Sequence, residues 1–295
     1  MRTAVLACLA ASLACRVPLH AVEWLENYEA AKAQAAKDGK DLFLNFTGSD
    51  WCVFCAKLKA DVYDQEPFEV VAKDFVLVDL DFPQTKVLTP KLKEQNTKLA
   101  ERFEINDTFP TIILADGQGR PYARGGYRNG DTVERFLALL KDLRARKTRR
   151  DELFAQAEKA EGALKARLLD QALAPMDEAK LLSGYDETVK QIIALDAENK
   201  EGLKSKYEAR GRLEEINRSL RAGNLEEAQE KMDAFLKEVA PAGRLKQQAW
   251  FLKAIIIDQR HRKEMLAALQ TALEADPESQ QGRQIRQILE GLKGE

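Results

Sequence analysis

Two cysteines three positions apart, Cys52 and Cys55, are the residues whose type and spacing point most directly to chemistry in this chain. They close the stretch Phe46-Thr47-Gly48-Ser49-Asp50-Trp51-Cys52-Val53-Phe54-Cys55, which follows a short apolar run and leads into helix-like sequence, Ala56 to Val62. At the start of a helix, unpaired backbone N–H groups and the helix dipole favour negative charge. A thiol placed there ionises more readily than free cysteine, whose pKa is about 8.5. A second thiol one turn later lies on the same helix face and can attack a mixed disulfide formed by the first. This reading makes Cys52 the nucleophile and Cys55 the resolving thiol. The same spacing has other uses. A zinc site needs two more ligands, and beyond the first residues the chain offers no other cysteine and a single distant histidine, His261. Covalent haem attachment needs histidine directly after the second cysteine, where Ala56 stands. A merely structural pair stays open as an alternative. No metal and no cofactor are expected.

The total cysteine count strengthens the reactive reading. Residues 1–21 have the form of a secretory leader: Arg2, an apolar stretch from Thr3 to Ala14, and a small-residue cleavage point after Ala21. Cys8 and Cys15 fall inside it. Lipidation at Cys15 is disfavoured, because Ser12 stands where an aliphatic residue is expected. The expected mature chain keeps one close pair, in a compartment (periplasmic or extracellular) where stapling disulfides would come as several spaced pairs. A bridge over so short a loop stabilises little.

The 295 residues suit two domains, and 45% hydrophobic with 32% charged residues fits a soluble globular chain. A net charge of −2 gives no field to recruit nucleic acid or an anionic membrane. The basic run from Arg144 to Arg150 reads as a solvated helix end or linker. No later stretch is long and apolar enough to span a bilayer.

The elements that must position the cysteines follow from the pattern. Trp24 to Lys37 has helical spacing and stops at Gly39; Asp41 to Phe46 and Phe75 to Leu80 read as buried strands. Pro67-Phe68 reads as a turn. Thr89-Pro90 is a helix cap followed by proline, with a helix to about Phe103. Thr111 to Leu114 is a third strand, Asp116 to Gly119 a turn, and a short strand lies near Tyr122. Asp131 to Glu134 fits a capping box for a helix to about Arg146. Strands alternating with helices imply an α/β sandwich with helices on both faces of a mixed sheet. Beyond Thr148 only helical patterns appear. The expected division is a leader (1–21), an α/β domain (22–148) and an all-α domain (149–295).

With these elements in place, residues 22–146 resemble the exported thioredoxin-like proteins. Three features carry the resemblance in order: the strand ending at Phe46, Trp51-Cys52-Val53-Phe54-Cys55, and Thr108-Phe109-Pro110-Thr111 ahead of a strand. The resemblance implies a thioredoxin fold, a cis-proline at Pro110, a backbone contact to substrate from Phe109, and an apolar wall from Trp51 beside Cys52. The chain also departs from the family. Val53-Phe54 replaces the usual Gly-Pro, and no histidine lies between the cysteines, which argues against a strong oxidant. Asn45 falls near the place of the family's buried aspartate, so Asp50 or water must take the proton from Cys55.

The helical half carries weak internal similarity. Gly223 to Ala228 with Met232, Phe235 and Pro241, then Ala249-Trp250 through Met265, Leu269, Ala272 and Asp276-Pro277, resemble tetratricopeptide repeats, with Tyr185 to Asn199 as a degenerate copy. Trp250 reads as core and His261 as surface. The expected function is an exported thiol–disulfide oxidoreductase acting on protein disulfides, a reductase or isomerase rather than a strong oxidase. A redox partner resets the pair, and the helical region offers a docking surface. The alternative is a non-enzymatic binding scaffold whose cysteine pair is inert or redox-sensing.

Overall fold

The computed structural model describes residues 22–105, 108–178, 181–239, 243–275, 277 and 280–292. The expected leader with Cys8 and Cys15, and also Asn106, Asp107, Pro241 and Asp276, lie outside the described residues. The chain divides into two compact units, the first ending at Thr188 and the second beginning at Val189.

The first unit is built on a mixed sheet of β1 (Trp24–Leu25), β2 (Asp41–Thr47), β3 (Phe75–Asp81), β4 (Thr111–Ala115) and β5 (Pro121–Gly126), in the order β1-β3-β2-β4-β5. β1, β3 and β2 are parallel, whereas β4 and β5 run antiparallel to their neighbours. Every residue of β2 is buried, as expected of a central strand covered on both faces. Side chains alternate across it. Phe43 meets Trp24, Tyr63, Phe68 and Phe75 with ring centroids 5.8–6.0 Å away, an aromatic cluster on one face. Phe46, on the other face, packs against Phe82 and Phe103.

Trp24 thus belongs to a two-residue strand and not to the first helix, because pairing with β3 and the aromatic cluster outweigh its helical spacing. That helix, α1 (Tyr28–Asp38), begins at Asn27, whose side chain accepts from the Ala30 N–H, and ends at Gly39 with φ +63°, the left-handed turn glycine adopts at low cost. The cysteine-bearing helix α2 (Val53–Leu58) continues into a π-helical turn, Lys59–Tyr63. Pro67-Phe68 forms part of a helix, α3 (Glu66–Ala72), with Pro67 in its first turn. The Thr89 hydroxyl caps α4 (Pro90–Arg102) as expected.

Helix α5 (Val133–Glu158), capped by Thr132, runs twelve residues past Arg146 and straight through residue 148, where the sequence reading placed a boundary. The reason lies in the basic run, which is structural and not a solvated linker. Arg144 pairs with Asp74 at 2.7 Å and Lys147 with Asp41 at 2.6 Å. Arg150 is 1% exposed and meets Asp116 (3.1 Å), Asp151 (2.7 Å) and the Tyr185 hydroxyl (2.7 Å). The next helix, α6 (Gly162–Glu178), packs along α5 and against β5 within this unit.

After β5 only helices occur among the described residues: α7 (Asp186–Leu195), α8 (Leu203–Arg221), α9 (Leu225–Val239), α10 (Gly243–Ala275) and α11 (Gln280–Leu292). In the second unit α8, α9 and α10 share a core of Ile216, Leu220, Met232, Phe235, Ala249 and Ile256. Trp250 is not in it. At 51% exposure it stands outside, with Lys253 over its ring. His261 is exposed, as expected. No described helix is long and apolar enough to cross a membrane.

Candidate active site

The loop between β2 and α2 sets the site. Phe46 and Thr47 carry the chain to the end of the sheet, and the turn from Gly48 reverses it, with the Cys52 N–H donating to the Gly48 carbonyl at 3.0 Å. The turn is pinned from β3: Ser49 donates its N–H (2.9 Å) and its hydroxyl (2.6 Å) to the buried Asp81 carboxylate. Cys52 is the N-cap of α2, where its Sγ accepts from the Cys55 N–H at 3.1 Å. The two cysteines form a disulfide. Their residues are 8% and 6% exposed, so burial does not separate attacker from resolver. The cap position does, because only Cys52 faces the open N–H groups of the helix end.

The surroundings are apolar and open. Val53 is 66% and Phe54 47% exposed between the cysteines, and Trp51 is 40% exposed beside them. Trp51 is held at both ends. Its indole N–H donates to the Phe82 carbonyl at 2.7 Å, and its ring meets Phe109 edge-on at 5.5 Å. Phe109 in turn meets Phe82 at 5.3 Å. The Phe109–Pro110 bond is cis. The structure therefore brings Trp51, Phe109 and Pro110 into one rim with the cysteine pair. Lys57 lies on α2, bonded to Asn129 at 2.9 Å and 5.9 Å from the Phe54 ring.

Phe82 and Gly48 are site residues the sequence reading missed. A Cβ at Gly48 would fall 2.4 Å from the Trp51 ring, so a side chain there must displace the indole. Gly48→Ala is expected to shift Trp51 emission, read as the difference from Trp51→Phe, and to cost about 1 kcal/mol as the bond to Phe82 is lost. An unchanged difference spectrum would show that the indole does not depend on Gly48.

Asp50 is not the proton acceptor that the sequence left open. Its carboxylate accepts from the Thr85 hydroxyl and from the N–H groups of Gln84, Thr85 and Lys86. These bonds, the Thr85 hydroxyl first, hold its pKa well below the ordinary carboxylate range. It clamps the 84–86 loop and stays ionised. Asn45, buried on β2, accepts from the Tyr63 hydroxyl (3.1 Å) and donates to Asp79 on β3 (2.8 Å). Burial pushes the Asp79 carboxyl above its ordinary value, against the Asn45 bond that lowers it. No cluster of three or more potential metal ligands occurs among the described residues.

Residues 23–116 match the family described as thioredoxin-like. Over 110 residues the chain is 30% identical to the disulfide bond reductase DsbH of Chlamydia pneumoniae, covering 37% of this chain and 65% of that protein. Over 109 residues it is 26% identical to the thioredoxin-related protein DsbJ of the same organism, covering 37% of this chain and 31% of that one. The chain thus spans less than two thirds of the length of these curated relatives. A solved structure of a DsbH oxidoreductase gives a TM-score of 0.39 at 27% identity, covering 46% of this chain and 94% of its own.

Proposed function

We propose, taking residues 23–116 as a thioredoxin-like domain, that this protein is an exported thiol–disulfide oxidoreductase that reduces or isomerises protein disulfides. The observation that carries the reading is the Cys52–Cys55 disulfide at the N-terminus of α2, with Cys52 as the cap and an apolar rim around it. In the reduced pair, the Cys52 thiolate attacks one sulfur of a substrate disulfide and the other leaves as a thiolate. Cys55 then attacks Cys52 Sγ, the mixed disulfide breaks, and the substrate departs fully reduced while the pair is oxidised by two electrons. An external dithiol partner resets it.

The reductive direction is supported by the absence of histidine between the cysteines and by the name of the relative DsbH. Trp51, Phe109 and Pro110 form the substrate-facing wall. We assign the dithiol chemistry to residues 22–148. The helical remainder, 149–295, is read as a tetratricopeptide-like docking region, a reading supported by the α8–α9 pair and by Trp250 and Phe251 exposed on α10. The leader-like first residues support a periplasmic or secreted location.

The protein is expected to accelerate insulin disulfide reduction over dithiothreitol alone, and equilibration with glutathione fixes its potential and so its direction. No acceleration at any protein concentration would reject the enzymatic reading.

A further inference from the structure

A carboxylate buried without a cation is costly, and Asp79 is one. β2 and β3 pair in register, so Asn45 and Asp79 lie side by side. They sit on the face that packs Tyr63, and Tyr63 lies in the π-helical turn that directly continues α2. The buried residues of α2 are Cys55 and Leu58. The resolving cysteine and the hydrogen-bonded series Tyr63, Asn45, Asp79 therefore belong to one helix–sheet interface. Neighbouring acids are committed elsewhere: Asp81 holds Ser49, and Asp50 holds the 84–86 loop. Asp79 accepts from the Asn45 amide, and no ion pair reaches it among the described residues. An asparagine at position 79 could accept the same bond without the desolvation of a charge, so the bond alone does not account for an acid here.

We propose that Asp79 is the acid–base partner of Cys55, taking the proton that the Cys55 thiol must release before it can resolve the mixed disulfide. The inference rests on the oxidoreductase reading. In the step, Cys55 S–H loses its proton to the Asp79 carboxylate. Cys55 Sγ bonds to Cys52 Sγ, the bond from Cys52 to substrate sulfur breaks, and the substrate leaves with the electron pair as a thiolate. In reverse, Asp79 returns the proton to Cys55. Transfer is favourable because the carboxyl holds a proton more readily than an ordinary aspartate. Burial acts first; Asp81 on its own strand and Glu26 ahead of α1 raise it further, while the Asn45 bond and Lys86 from the loop after β3 oppose. Tyr63, from the helical side, is neutral, its own pKa being pushed well up by burial.

The test is single-turnover release of a labelled peptide from its mixed disulfide with Cys52, from pH 5 to 9. Asp79→Asn keeps an oxygen for Asn45. It is expected to slow release at pH 7 by about tenfold or more, a loss typical of removing an acid–base group. The deficit should shrink toward pH 9, where solvent deprotonates the thiol. Infrared titration of the Asp79 carboxyl in the unmutated protein gives an independent readout. Its midpoint should differ between oxidised and reduced forms, since interacting sites titrate together. Superimposable rate profiles, or one midpoint in both redox forms, would overturn the assignment while leaving the oxidoreductase standing. If the unmutated protein formed no mixed disulfide at all, both readings would fall.

Discussion

Cys52→Ser is expected to bring insulin reduction down to the rate of dithiothreitol alone, a loss of about three orders of magnitude or more. The thiolate is the nucleophile, and a serine hydroxyl at the cap of α2 stays protonated. None of the groups around it could act as its base: Val53, Phe54 and Trp51 are apolar, and Asp50 is committed to the 84–86 loop. Cys55→Ser should behave differently. Attack by Cys52 remains, resolution is lost, and substrate stays attached to Cys52 as a mixed disulfide visible by mass and released by excess reductant. The two variants together assign the roles. Residual turnover in Cys52→Ser, or adducts that form through Cys55 in that variant and never through Cys52 in the other, would reverse the assignment. Equal turnover in all three proteins would leave the pair without a catalytic part, as in the scaffold alternative.

The elements around the cysteines were legible because they rest on local rules. β2 and β3 are continuous apolar runs, Thr89-Pro90 and Gly39 are helix boundaries with a stated chemistry, and Phe109-Pro110 precedes a strand at the right place in the order. What was not legible depends on partners distant in sequence. Two residues of β1 carry no period of their own, and only pairing with β3 makes Trp24–Leu25 a strand. Asp79 looks like one acid in an apolar run until register sets it beside Asn45. Phe82 joins the site through its carbonyl, which no side-chain pattern reports. Trp250 follows the core spacing of an amphipathic helix yet faces outward, because Ala249 and Ile256 already fill the space against α8 and α9. In the basic run, charge alone suggested solvent, and the acids that bury it lie on β2, at the end of β4 and after α3.

That run carries the largest expected effect on stability. Arg150→Ala should destabilise the first unit by about 3 kcal/mol, the low end of the range for breaking a buried ion pair by removing one partner. Burial alone would push the guanidinium pKa down, but Tyr185, Asp151 and Asp116 together hold it above its ordinary value, so the charge is settled in place. Truncation leaves a cavity between α5 and β5 and deprives the Tyr185 hydroxyl and Asp116 of a donor. The loss is limited because Asp116 keeps the N–H groups of Gln118 and Arg120 and the Arg120 guanidinium. Tyr185 likewise keeps its bond to the Pro121 carbonyl. Urea unfolding followed by amide exchange in β4 and β5 reads the change within this unit, and a loss of about 3 kcal/mol corresponds to roughly 6–12 °C in Tm. Arg150 acts at the Asp116 end of β4, whereas Pro110 precedes its other end. At about 3.3 Å per residue the five residues of β4 separate the two by roughly 16 Å. Peptide release at 25 °C should therefore match the unmutated protein. A loss of stability under about 1 kcal/mol would mean that Arg150 is held by its neighbours without holding them, and a matching loss of turnover in the folded variant would mean that the two ends of β4 are coupled.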